Sequence, residues 1–251
     1  MTSAAFFDLD NTLIRGSSMF HLARGLRHYR FLTDDDVRTF VWQNLKFVLI
    51  GKEHIGDMQA IKANALRLAK GHSYARLVEV SEPVINEFLM PKVFERTLAI
   101  AREHLARGEQ VWIVTASPQQ LAGILAEKLG LTGALGTVAQ IVDGEFTGEL
   151  EGPILHGGEK AVAITKLASE RGIDLSRSTA YSDSMNDQPM LSAVGHAVAV
   201  NADRRLRALA RKSGWDAVDF RRSRLARKYS VHAGIVALVT AVAGVVRRRR
   251  P

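Results

Sequence analysis

Asp8 and Asp10 stand two residues apart in the run Phe6-Phe7-Asp8-Leu9-Asp10-Asn11-Thr12-Leu13-Ile14, near the start of a 251-residue chain. A short apolar run that stops at polar turn formers is how a buried parallel strand ends. Such a strand delivers its carboxylates to its C-terminal edge, where open α/β sheets bind ligands. Two carboxylates so close repel each other unless positive charge sits beside them, and a divalent cation is the usual partner. The bare pair also reads as an ordinary turn or helix cap. Its meaning depends on what else reaches the same edge.

Three further groups do so if the sheet is parallel. Thr115-Ala116-Ser117 directly follow the strand-like run Val111-Trp112-Ile113-Val114. Lys160 opens a helix after Gly157-Gly158. Ser182-Asp183-Ser184-Met185-Asn186-Asp187 follow a short strand over 178–181. The four groups supply carboxylates, hydroxyls, an ammonium and an amide. That set suits a phosphate group plus Mg²⁺, because carboxylates hold the hard cation while neutral and positive donors hold phosphate oxygens. Each group has a plainer reading when taken alone. Thr115 and Ser117 could cap the helix that begins at Pro118, and capping is the reading taken for Ser117. Lys160 could be a surface lysine and Asp187 an N-cap before Pro189. His21, His28, His54, His72 and His104 show no metal-ligand spacing and read as surface or cap-packing residues.

The elements that must position these groups follow from periodicity. Residues 17–90 read as helical: Thr33 before three aspartates is a helix start, and helical spacing continues over 36–50 and 55–70. Ser73 opens another helix, and Pro91 closes the block. Beyond it the pattern alternates. Helices are expected over 93–107, 118–129, 160–171 and 187–194, and strands over 111–114, 178–181 and 197–200. A hairpin over 138–150 turns at Asp143-Gly144. Strand–helix alternation implies an α/β fold with a parallel sheet. The expected organisation is a Rossmann-like core over 1–16 and 91–220, a helical cap over 17–90, and a tail over 221–251.

The four groups, in this order and at these strand ends, resemble the haloacid dehalogenase superfamily of phosphohydrolases. The helical insertion, of the C1 type, the hairpin before Lys160 and the Asp183-x-x-Asn186-Asp187 run resemble its phosphoserine phosphatase subgroup, subfamily IB. The resemblance covers residues 1–220. It implies Mg²⁺-dependent hydrolysis of a small phosphomonoester. Asp8 would be the nucleophile forming an aspartyl-phosphate, and Asp10 the general acid/base. Asp8, the main-chain carbonyl of Asp10, and Asp183 would hold Mg²⁺. Thr115, the Ala116 amide and Asn186 would contact the phosphoryl group, Lys160 would offset its charge, and Asp187 would orient Lys160 or a metal-bound water. The subgroup usually carries an acid shortly after the first motif, to meet the substrate's ammonium. Here that stretch is Arg15-Gly16-Ser17-Ser18. Other readings therefore stay open: a phosphatase for histidinol phosphate or a lysophospholipid-type ester at a membrane surface, or a regulatory protein that keeps the site and binds a partner.

Composition narrows the classes further. The chain is 47% hydrophobic and 24% charged, as ordinary globular proteins are, and has no cysteine, which removes disulfides and thiolate chemistry. The formal charge is +8, yet residues 220–251 hold nine Lys/Arg and no acid, leaving 25 basic and 26 acidic residues in 1–219. The body is balanced, which argues against nucleic acid as a partner. The N-terminus lacks the order of a signal peptide, and a cytoplasmic location is expected. Residues 231–246 are almost wholly apolar between basic clusters. At sixteen residues the run is short of a membrane span, so it could be a weak anchor, a helix lying on anionic lipid, or a helix docked on the core.

Overall fold

The computed structural model describes residues 2–33, 36 and 69–220. Strand β1 (Ala4–Asp8) is fully enclosed, and its alternating side chains face two separate cores. Ala5 and Phe7 pack with Val111, Ile113, Leu121 and Leu125 on one face. Ala4 and Phe6 pack with Trp112, Val114, Ile164 and Leu206 on the other. Strands β2 (Gln110–Pro118), β3 (Gly133–Thr137), β6 (Thr179–Ser182), β7 (His196–Val200) and β8 (Asp216–Val218) complete a parallel sheet in the order β3-β2-β1-β6-β7-β8. Helices on both faces make this a Rossmann-like α/β fold.

The expected alternation is present, with three elements added. Strand β2 extends four residues past Val114, and β3 lies where only the approach to the hairpin was expected. After β7 a helix (Arg204–Ser213) begins at Asp203, whose carboxylate accepts the Leu206 N–H at 2.8 Å, and ends at left-handed Gly214 before β8. The expected hairpin forms from β4 (Ala139–Val142) and β5 (Glu145–Leu150), with Asp143 and Gly144 both at positive φ.

Between β1 and β2 lie α1 (Ser18–His28) and α2 (Tyr74–Val84), the latter continuing into a π turn at Ile85–Leu89. The two helical stretches approach closely: a Cβ on Gly25 would stand 2.6 Å from a Val84 methyl. Thr33 and Asp36 form the reciprocal bonds of a helix start, Thr33 N–H to Asp36 Oδ2 at 2.7 Å and Asp36 N–H to Thr33 Oγ1 at 3.1 Å. Hairpin β4–β5 holds the second connection: Gly71 N–H donates to the Phe146 carbonyl (2.8 Å) and Tyr74 N–H to the Gly144 carbonyl (2.9 Å). Of the helices expected over 36–50 and 55–70, residues 37–50 and 55–68 lie outside the described residues, as do His54 and the tail over 221–251. Among the described residues no helix is long and apolar enough to cross a membrane.

One histidine departs from the surface-or-cap-packing reading. His104 is buried beneath the sheet, its Nε2 2.6 Å from the Tyr181 hydroxyl and its Nδ1 paired with Glu109 and with Arg107. The cost of burying an imidazole is met by saturating both nitrogens. Tyr181 in turn stacks on Phe7, 4.2 Å between ring centres. His21 is also buried, with Nε2 2.9 Å from the Arg15 carbonyl, and burial together with Lys92 and Arg24 lowers its pKa.

Candidate active site

Register brings the separated groups together. Phe7 is level with Ile113 on one side and Tyr181 on the other, and Asp8 is level with Val114. The next residues on each strand, Thr115 on β2 and Ser182-Asp183 on β6, therefore emerge beside Asp8 at one sheet edge. Strand order also reverses here, since later strands lie on the far side of β1 from β2 and β3. Such a reversal opens a crevice that open α/β sheets use for ligands.

Lys160 crosses this edge. Helix α3 (Gly158–Arg171) starts after Gly157, whose φ of 59° is readily adopted by glycine, and carries Lys160 in its first turn. The ammonium is 3% exposed and lies 2.5 Å from Asp8 Oδ1 and 2.7 Å from Asp187 Oδ2. Burial alone would lower its pKa, but the two carboxylates outweigh that and raise it. Asp187 occupies the N-cap position of the short helix Gln188–Ser192 yet makes no side-chain capping bond; its carboxylate takes Lys160 and the Ser182 hydroxyl (2.8 Å) instead.

The carboxylates have more negative charge among them than one ammonium offsets. Burial raises Asp8 to about 7 despite Lys160, with Asp187 and Asp10 adding to the rise. Burial, then Asp8, Asp187 and Asp10, raise Asp183 to about 8. Two oxygen donors held in this protonation-prone state are the donor chemistry a hard divalent cation fits, because the cation removes the repulsion. Among the described residues no three His, Cys, Asp or Glu side chains form a metal cage. The expected ligand set, two carboxylates and one carbonyl, does not require one.

Asp10 is turned elsewhere. Its Oδ1 accepts the Ser18 N–H at 2.8 Å, at the start of α1, where an unpaired amide and the helix dipole favour a carboxylate. The loop between is pinned by Asn11 at φ 56°, whose Oδ1 accepts the Gly16 N–H at 3.0 Å. Thr115 is buried and accepts the Ser117 N–H at 3.1 Å, which leaves its own hydroxyl proton to donate. Ala116 is partly exposed, and its carbonyl accepts the Thr137 hydroxyl at 2.9 Å. Asn186 is exposed, its N–H on the Ser184 hydroxyl at 3.2 Å.

Ser117 overturns the capping expectation. Pro118 holds the N-cap position of the helix Gln119–Lys128, and the helix has no side-chain cap bond. The Ser117 hydroxyl lies 2.6 Å from the Ser18 hydroxyl. A residue ending β2 is thus bound to the first residue of α1, a pairing across 99 positions that spacing could not reveal. Sequence reasoning also missed Asn201 and Asp203. Asn201 is fully buried at φ 52°, donates to the Asn11 carbonyl (3.0 Å) and accepts the Phe220 N–H (2.8 Å). Asp203 accepts the Met185 N–H at 3.0 Å, fixing the turn that carries Asp187. The available signal was polar residues directly after the strand over 197–200, at the same sheet edge.

Known proteins are similar to this chain in sequence and in fold. The model of the haloacid dehalogenase-like hydrolase family matches residues 5–192. A protein named phosphoserine phosphatase SerB1 from Mycobacterium tuberculosis is 48% identical over 252 residues, covering 100% of this chain and 82% of that protein. A probable phosphatase from the same organism is 35% identical over 225 residues, covering 88% of this chain and 76% of its own length. Among solved structures, a protein of unknown function from Bordetella pertussis superposes with TM-score 0.76 at 28% identity, covering 87% of this chain and 99% of that one. A phospho-aspartyl intermediate analogue of phosphoserine phosphatase shares the fold with TM-score 0.58 at 24% identity, over 86% of this chain and 92% of the other.

Proposed function

The chain belongs to the haloacid dehalogenase-like hydrolase family, and from that premise we propose that it is a Mg²⁺-dependent phosphatase of the phosphoserine phosphatase type, acting on a small phosphomonoester. The observation that carries this reading is the buried ammonium of Lys160 between Asp8 and Asp187, with Asp10, near enough to raise the Asp8 pKa, held on the Ser18 amide.

Asp8 attacks phosphorus through a carboxylate oxygen, and the bond from phosphorus to the ester oxygen breaks. Asp10 gives its proton to that leaving oxygen, and the alcohol departs. Asp10, now ionised, takes a proton from water as the water oxygen attacks phosphorus. The acyl phosphate bond to Asp8 breaks, inorganic phosphate leaves, and both carboxyls return to their starting states. Thr115, the Ala116 amide and Asn186 hold the non-reacting phosphoryl oxygens, while Lys160 offsets the charge that builds on them and Asp187 keeps Lys160 in place. Asp8, Asp183 and the Asp10 carbonyl would hold Mg²⁺, which when bound would neutralise carboxylate and phosphoryl charge.

The purified protein should release phosphate from a small ester only when Mg²⁺ is supplied, and Asp8→Asn should abolish release. Unchanged turnover in that variant sinks the nucleophile assignment. Arg15-Gly16-Ser17-Ser18 offers no acid: Ser17 caps α1 by accepting the Phe20 N–H, and Ser18 is buried. An ammonium on the substrate therefore gains no partner from this stretch. Phosphoserine and its analogue lacking the amino group should be turned over with kcat/KM within about tenfold of each other. A much larger preference for phosphoserine would assign ammonium recognition to other residues.

A further inference from the structure

We propose that Ser117 is a positioning residue for Asp10, acting through Ser18. This rests on the acid/base role of Asp10 proposed above and deepens it. Ser18 is fully buried and Ser117 is 2% exposed, and their hydroxyls lie 2.6 Å apart. The same Ser18 gives its main-chain N–H to Asp10 Oδ1 at 2.8 Å. One short chain of bonds therefore runs from the end of β2, through the first residue of α1, to the carboxyl that serves the leaving group.

The geometry explains why a hydroxyl is needed at both ends. Asp10 sits in a loop and is part-exposed, so its carboxyl takes its direction from its partner. That partner is a helix-terminal amide, and its place depends on where α1 begins. Ser17, just before it, anchors only the helix's own first turn, through the Phe20 N–H. The Ser117 hydroxyl ties the start of α1 to the end of β2. The Ser117 main chain is itself fixed, its N–H on Thr115 Oγ1 at 3.1 Å and its carbonyl against Gly136, where an added Cβ would come within 2.8 Å. A rigid donor or acceptor on the sheet thus sets the register of a helix whose first amide aims the acid. Apolar replacement at either end leaves a buried hydroxyl without its partner and frees that register.

Leaving-group dependence tests this on the full-length protein with Mg²⁺. In a double-displacement hydrolysis kcat/KM reports steps up to the covalent intermediate, where the acid matters for an alkyl leaving group and little for 4-nitrophenolate. Ser117→Ala should lower kcat/KM for an alkyl phosphate roughly tenfold, part of the ~10²–10⁴ a general acid supplies, and for 4-nitrophenyl phosphate less than about twofold. Inhibition by inorganic phosphate should stay within about twofold, since the phosphate contacts are kept. Ser18→Ala, which keeps the N–H and loses only the hydroxyl, should reproduce the pattern, and the double variant should add nothing, as for two halves of one bond. Asp10→Asn supplies the reference, with the same leaving-group discrimination in larger measure. Equal losses on both esters in both serine variants, or weakened phosphate inhibition, would overturn the proposal while Asp10→Asn still discriminates. A non-discriminating Asp10→Asn would instead remove the acid/base reading, and this inference with it.

Discussion

Lys160 is buried and held from two sides. Two buried carboxylates contact its ammonium, and both would be left without a counter-charge if it were removed. Lys160→Met should therefore lower turnover by about 10²–10³ and destabilise the fold by roughly 3–5 kcal/mol near pH 8. The loss should shrink at acid pH. Asp8 already has a raised pKa with Lys160 present, and removing the ammonium raises it further. A carboxyl whose folded pKa lies above its unfolded value favours the folded state least at high pH, so the variant gains stability as pH falls. Urea unfolding at pH 5.5 and pH 8 measures this, and equal losses at both would refute it. The placing of Asp8, Asp10, Lys160 and Asp187 at one sheet edge was legible in the sequence because each stands directly after a strand or at a helix start. Ser18, Asn201 and Asp203 were not. Their roles arise from partners brought together by closure of the sheet, such as Asn201 with Asn11 across 190 positions, and serine or asparagine in a loop has many ordinary uses.

At the level of elements, the site depends on how loops are fastened to strand ends. The loop after β1 is held from across the sheet by Asn201, which also binds Phe220 ahead of the tail. Asn201→Ala removes both bonds and places an alanine at φ 52°; it should cost about 3 kcal/mol by urea titration and reduce kcat, because the Asn11 carbonyl in the loop after Asp10 loses its anchor. Asn201→Gly keeps the backbone conformation and still loses the bonds, so stability recovering to near the parent value would show that only backbone strain mattered. Gly136 works by lacking a side chain. A Cβ there would stand 2.8 Å from both the Gln119 Cα and the Ser117 carbonyl oxygen, which are backbone atoms that cannot swing aside. Gly136→Ala should destabilise by about 2 kcal/mol, and an unchanged denaturation midpoint would show that β3 can slide away from the helix start. The strands and helices bounded by apolar runs were readable because burial on both faces demands such runs. Strand β3, Gly-Ala-Leu-Gly-Thr at the edge of the sheet, was not, since two glycines in five residues break the apolar run that marks a buried strand. The glycines serve close packing: Gly133 lies under the Trp112 ring and Gly136 against the neighbouring helix start.

Across the whole molecule, the site draws its carboxylates from both sides of the switch in strand order, and the fold bears the resulting repulsion. Asp8 is raised to about 7 and Asp183 to about 8, from an ordinary value of 3.8 in both cases. Between roughly pH 4 and pH 8 the folded protein without metal therefore holds protons that the unfolded chain has released. Stability must fall as pH rises through that window, the reverse of a carboxylate stabilised by a salt bridge. Mg²⁺ bound by the ionised forms competes with those protons, so its effect must grow as pH rises. We expect the metal-free protein to lose thermal stability from pH 5 to pH 8. Saturating Mg²⁺ should restore it by roughly 5 °C at pH 8, about 2 kcal/mol for a domain of this size, and have little effect at pH 5. Asp183→Asn, which removes one of the two raised carboxyls, should flatten the metal-free pH dependence and most of the response to Mg²⁺ together. Melting curves with and without the ion would settle the point. A Mg²⁺ shift that is constant with pH, or larger at pH 5, would mean that the cation binds away from this edge and that the crowding of Asp8, Asp10, Asp183 and Asp187 is relieved by some other means.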